Sequence, residues 1–130
     1  EIVSYNVGTS PNVELVTTKL REKLQALPAG VRKKLIYHTD QGGVFMSDAH
    51  INSTQNLKVT QSMSRRGNCL DNSPIESFFG HFKDELDYKN LTTFKMAQEA
   101  IDKYIWEYNN ERAQWDLKRK TPAERRSLLT

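Results

Sequence analysis

The apolar run Lys34-Leu35-Ile36-Tyr37 leads into His38-Thr39-Asp40-Gln41 and then into the pair Gly42-Gly43. A short β-rich segment that stops at a carboxylate and two glycines reads as a strand handing its last side chain to a loop. Its surroundings narrow the fold further. Upstream, Glu1–Val7 alternates apolar and polar residues up to Gly8 and predicts a half-buried strand. Ser10-Pro11 then reads as an N-cap with proline at the first helical position. Val13, Val16, Leu20, Leu24 and Leu27 follow at helical spacing until Pro28-Ala29-Gly30. Downstream, residues 45–51 predict a weak helix and 57–61 a second short strand. Strand, helix, strand, helix, strand in that order implies an α/β layer fold with some parallel pairing, since parallel strands require crossover connections.

The second half is helical. Residues 62–72, with Ser64-Arg65-Arg66-Gly67-Asn68 at their centre, lack apolar periodicity and predict a polar, basic, mobile loop. Ser73-Pro74-Ile75-Glu76 fits a capping box opening a helix whose Phe78, Phe79 and Phe82 form a core stripe. A long helix is predicted over 94–109, and Thr121-Pro122-Ala123-Glu124 opens a last short one. Trp115 is expected to pack the tail onto the domain rather than to stack on a base. Lys118-Arg119-Lys120 reads equally as a solvated end or as a DNA-backbone contact.

At 130 residues, 37% hydrophobic and 27% charged, with a mean hydropathy of −0.70, the chain has the size of one domain with one core. No run is long enough to span a bilayer. One cysteine, Cys69, cannot form an internal disulfide, and with three histidines it shows no zinc-site spacing. A net charge of +3 matters less than its placement: residues 112–126 hold six basic side chains against two acidic ones. The natural partition is a core over 1–111 and a basic helical tail of the same domain over 112–130. Because the chain begins at Glu1 without a methionine, it reads as a piece of something longer.

Asp40 at a strand end and Glu76 in the first turn of a helix are hard oxygen ligands of the kind that two-metal phosphoryl transfer requires. Thirty-five residues separate them, and Lys83 follows Glu76 by two helical turns, within roughly 20° of the same stripe. With these residues stand the words His38-Thr39-Asp40-Gln41-Gly42, Ser62–Asn68, Asp71–Phe79, Tyr108-Asn109-Asn110-Glu111-Arg112 and Thr121-Pro122-Ala123-Glu124. In that order the sequence resembles the Asp-Asp-Glu transposases of bacterial insertion sequences, relatives of the retroviral integrases. The resemblance implies an α/β ribonuclease H-like fold followed by C-terminal helices, with Asp40 and Glu76 as the second and third metal-binding carboxylates. It implies Mg²⁺ or Mn²⁺ in a two-metal site and cleavage and strand transfer of transposon DNA by the intact enzyme. DNA is the implied partner, with Lys83 gripping it near the scissile phosphate, a homo-oligomer the implied assembly, and the bacterial cytoplasm the implied setting. Arg65 and Arg66 are candidate phosphate contacts, and His38 a candidate to touch DNA or orient Asp40.

The family's first catalytic Asp lies on the first strand of the fold, whereas Asp40 is the first aspartate here. Glu1–Val7 then matches the third strand, the fold is N-terminally truncated by its first two, and the fragment by itself is expected to be inactive. The gap predicts a rearranged sheet, a strand-exchanged dimer or a partner filling it. Local sequence offers blander roles, capping for Glu76 and turn formation for Asp40. The alternative of another class is a non-catalytic DNA-binding or assembly module.

Overall fold

The computed structural model describes residues 1–129, which form two compact units: 4–80, and 1–3 with 81–129. The boundary falls inside one helix, after Gly80.

In the first unit, α1 (Val13–Gln25) begins at Asn12, whose side chain accepts from the Leu15 amide at 2.8 Å. The cap is therefore Asn12 and not Ser10: Asn12 has the extended backbone a cap needs, and Pro11 precedes the helix instead of opening it. A short helix, α2 (Ala29–Arg32), follows, then strand β1 (Ile36–Thr39). The crossover helix α3 (Asp48–Asn56) starts later than its apolar pattern suggests, because the Ser47 hydroxyl caps it. Lys58, at φ 57°, turns the chain out of α3, so strand β2 spans Thr60–Met63. The two strands pair in parallel, Ile36 opposite Thr60 through Thr39 opposite Met63. Helix α3 packs on α1 and on β2, and Leu24, Val59, His50 and Thr54 are buried.

Glu1–Val7 forms no strand. A strand needs a ladder partner, and the Ile2 backbone instead bonds the Asn109 side chain. The sheet is two-stranded among the described residues, far short of a full ribonuclease H-like sheet.

Helix α4 (Ser73–Glu85) continues directly from a 3₁₀ turn over Cys69–Asn72, which Asn68 caps. Ser73 has helical dihedrals (−55°, −34°), so it is no N-cap and the expected box with Glu76 does not form. In the second unit, α5 (Phe94–Asn110) packs against α6 (Pro122–Ser127), with Ile105 and Pro122 buried. Phe82 meets Tyr104 edge to face at 5.2 Å. At α6 the capping box is real: Thr121 and Glu124 exchange side-chain and backbone bonds. The phenylalanine stripe divides, because Phe78 is buried while Phe79 is 48% exposed.

Candidate active site

Asp40 leaves the end of β1 and folds back on its own loop, Oδ1 accepting from the Gly42 amide at 2.8 Å. A Cβ on Gly42 would lie 2.8 Å from that oxygen, so any other residue here would require the Asp40 carboxylate to shift. The turn-forming role thus coexists with an exposed carboxylate. Glu76 stands exposed in the first turn of α4, where the helix dipole favours negative charge.

Residues 64–68 line the same pocket as the two carboxylates, and this loop is pinned rather than loose. Buried Ser64 donates its amide to the Thr39 carbonyl at 2.9 Å and accepts at its own carbonyl from Gln41 Nε2 at 3.0 Å. His38 engages both ring nitrogens, Nδ1 with the Ser62 hydroxyl and Nε2 with that of Ser64. Its ring is therefore tied to the loop and makes no bond to Asp40. Arg65 donates to Asp71 from its backbone and from two guanidinium nitrogens. Gly67, at φ 75°, makes the turn.

Asp40 and Glu76 line one pocket of about 340 Å³ together with Gln41, Ser64, Arg65, Arg66, Gly67, Asn68 and Asn72. The pocket thus combines two carboxylates with two arginines and three side-chain amides. Both carboxylates also border a larger cavity of about 760 Å³, whose apolar wall includes Val16, Tyr37, Phe45, Ile75 and Phe79. His38 lines this second cavity. Burial, reinforced by the Asp40 charge, pushes the Tyr37 phenol up to about 12, so it stays protonated beside that carboxylate. Lys83 lies exposed in the last turn of α4, in the other unit.

The sequence singles out the carboxylates and arginines but not Asp71, Ser64 and Gln41, whose hydrogen bonds hold the 64–68 loop in place. Asp71 had a signal: an acid six residues after an arginine, with a glycine between, in a stretch with no apolar pattern.

Two carboxylates that no ion pair among the described residues engages, both lining a polar pocket, suit a hard divalent cation. They supply two donors and no more: among the described residues no group of three His, Cys, Asp or Glu is placed to hold a metal. The Cys69 side chain lies outside the described set.

The family model described as the integrase core domain matches residues 57–122. An uncharacterised transposase-like protein of Haemophilus influenzae is 39% identical over 98% of this chain and 58% of its own length. A probable transposase of insertion sequence IS1353 from Shigella flexneri is 37% identical over 98% of this chain and 25% of its own. The putative transposase InsK of IS150 from Escherichia coli is 33% identical over 98% of this chain and 44% of its own. The chain thus spans between a quarter and about three-fifths of these relatives. Among solved structures, the catalytic core of BIV integrase superposes with a TM-score of 0.64 at 20% identity, covering 91% of this chain and 72% of that one. That likeness gives the fold, a ribonuclease H-like core reduced here to a small sheet. No helix among the described residues is long and apolar enough to cross a membrane.

Proposed function

This chain belongs to the integrase core domain family, and from that premise we propose that it furnishes part of the centre with which a bacterial transposase cuts and joins DNA in the cytoplasm. One observation carries the reading: Asp40 from a strand end and Glu76 from a helix start line one pocket together with Arg65 and Arg66. Asp40 and Glu76 would hold Mg²⁺ or Mn²⁺, which when bound supplies activation of the attacking hydroxyl and charge stabilisation of the leaving oxygen.

The chain's own residues do the positioning. Gly42 holds Asp40 in its turn, α4 holds Glu76, and the pinned loop brings arginine charge to the same pocket, to meet a phosphodiester backbone. Lys83, in the other unit, is in this reading a phosphate contact of its own, and His38 keeps the loop in register through Ser62 and Ser64. The active assembly is a homo-oligomer in this reading. With two carboxylates of an Asp-Asp-Glu set, the 130 residues alone do not transfer strands.

The test is Mn²⁺ titration followed by the loss of free-ion electron paramagnetic resonance signal. Asp40→Asn and Glu76→Gln should each weaken binding at least tenfold with the circular dichroism spectrum unchanged. Undiminished binding in both variants would remove the metal site. Metal-dependent cleavage or joining of transposon-end DNA by the isolated chain would remove the claim of inactivity.

A further inference from the structure

Trp115 is 74% exposed, against the expectation that it packs the tail onto its domain. It sits at the start of a closed loop in the second unit. Gln114 and Lys120 pair as an antiparallel bridge, Gln114 donating to the Lys120 carbonyl at 3.0 Å. Between them a 3₁₀ turn over Trp115–Leu117 is followed by two consecutive left-handed residues, Lys118 at φ 58° and Arg119 at φ 61°. Side-chain-bearing residues resist that conformation, so two in succession mean that the surrounding bonds dictate the loop's shape. The Thr121 capping box anchors the loop immediately downstream, and Thr121 itself is buried.

This shape has a consequence for the side chains. It folds Arg119 back over the indole, its guanidinium carbon 4.5 Å from the ring centroid. Lys118 and Lys120 flank the pair, Asp116 is the loop's one acid, and no ion pair among the described residues engages any of the three cations. A large apolar ring left in water, held rigid and surrounded by free positive charge, is poorly matched to a protein interior. It is well matched to a base with its phosphates. Duplex bases already stack on both faces, so the ligand is one whose base face is free.

We propose that Trp115 and Arg119 form a stacking platform for an unpaired nucleotide of the DNA substrate, with Lys118 and Lys120 on the flanking phosphates. The proposal rests on the reading of this chain as part of a DNA-cutting and joining centre, and names a second place where that DNA is held.

Binding of the whole chain to labelled oligothymidylate and to labelled duplex, followed by fluorescence anisotropy over a range of salt, tests it. Trp115→Ala should weaken oligothymidylate binding by about tenfold without altering the salt slope, and Trp115→Phe should retain most of it. Lys118→Ala with Lys120→Ala should lower the slope by about 1.4. Thermal melts matching wild type exclude misfolding, which a 74% exposed side chain makes easy to satisfy. Equal oligothymidylate affinity for wild type and Trp115→Ala overturns the platform while leaving the DNA reading intact. Loss of self-association instead of DNA affinity in Trp115→Ala overturns it in favour of a protein contact. A wild-type chain that binds neither probe overturns the DNA reading, and the platform with it.

Discussion

The Asp71 carboxylate takes three hydrogen bonds from Arg65: from the backbone amide at 3.0 Å and from Nε and Nη2 at 2.9 Å each. Side-chain and backbone bonds from one residue to one carboxylate fix both the arginine and the path of the loop that lines the pocket with Asp40 and Glu76. The side-chain bonds first, then the backbone bond, hold the Asp71 carboxyl well below the usual carboxylate range. Because its folded-state value is depressed, the clasp is complete above about pH 4 and is lost only as pH falls through that lower value. In a carbon-detected titration Asp71 should therefore be among the last carboxyls to protonate. Asp71→Asn should raise the hydrogen-exchange rate of the Arg65 amide at neutral pH. An unchanged rate would mean that something else holds the loop.

The same clasp divides the labour of the two arginines. Arg65 is engaged by Asp71, whereas no ion pair among the described residues involves the exposed Arg66. If the loop meets DNA as proposed, Arg66→Ala should lower the salt slope of duplex binding by about 0.9, the share of one phosphate. Arg65→Ala should leave the slope nearly unchanged and loosen the loop instead. Equal losses of slope would show that Arg65 exchanges Asp71 for phosphate.

These relationships mark where the sequence stopped being legible. Helix α5, the capping box at Thr121 and the strand ending at Asp40 could be read because periodicity, caps and glycine turns act over a few residues. Glu1–Val7 could not: its alternation is a strand pattern, but alternation specifies a face, not a partner, and no ladder partner is present among the described residues. Glu76 is open between cap and ligand in the sequence because Ser73 three residues earlier suits a capping box, while the spacing to Asp40 and Lys83 suits a ligand. The preceding 3₁₀ turn decides against the cap by carrying Ser73 into the helix. Phe79 and Trp115 look like core residues from composition alone, and only tertiary structure leaves one beside the carboxylates and the other in water.

His50 gives a pH dependence of the opposite origin. It is fully buried between Tyr37 and Phe45, with Nδ1 3.2 Å from the Thr17 hydroxyl and Nε2 without a hydrogen-bond partner among the described residues. Burial lowers its pKa, so below about pH 6.5 the unfolded chain takes up a proton that the folded chain refuses. Stability should fall as pH drops from there toward the lower folded-state value. His50→Leu deletes both the Thr17 bond and the unpartnered nitrogen, so its stability at neutral pH should stay within about 1 kcal/mol of wild type. Urea midpoints measured from pH 7.5 to about 5 should decline more steeply for wild type than for the variant. Parallel curves would show that His50 is protonated in the fold.

Asn109 supplies what a neighbouring strand would have given Glu1–Val3. Its Oδ1 accepts from the Ile2 amide at 2.8 Å and its Nδ2 donates to the Ile2 carbonyl at 2.9 Å, so a single carboxamide satisfies both backbone groups as a ladder residue does. Arg126 pairs with Glu1 beside it at 2.9 Å, an exposed ion pair of small worth by itself. The amide should therefore dominate. Asn109→Ala should cost about 1 to 2 kcal/mol and speed proteolysis within the first residues. Asn109→Asp is the sharper test: the carboxylate can still accept from Ile2 but cannot donate, and it sets a charge against the Ile2 carbonyl. It should be at least as damaging as alanine at neutral pH and should recover partly in acid, where a protonated carboxyl regains a donor. Wild-type stability in Asn109→Asp at neutral pH would mean that the bond to the Ile2 carbonyl contributes nothing.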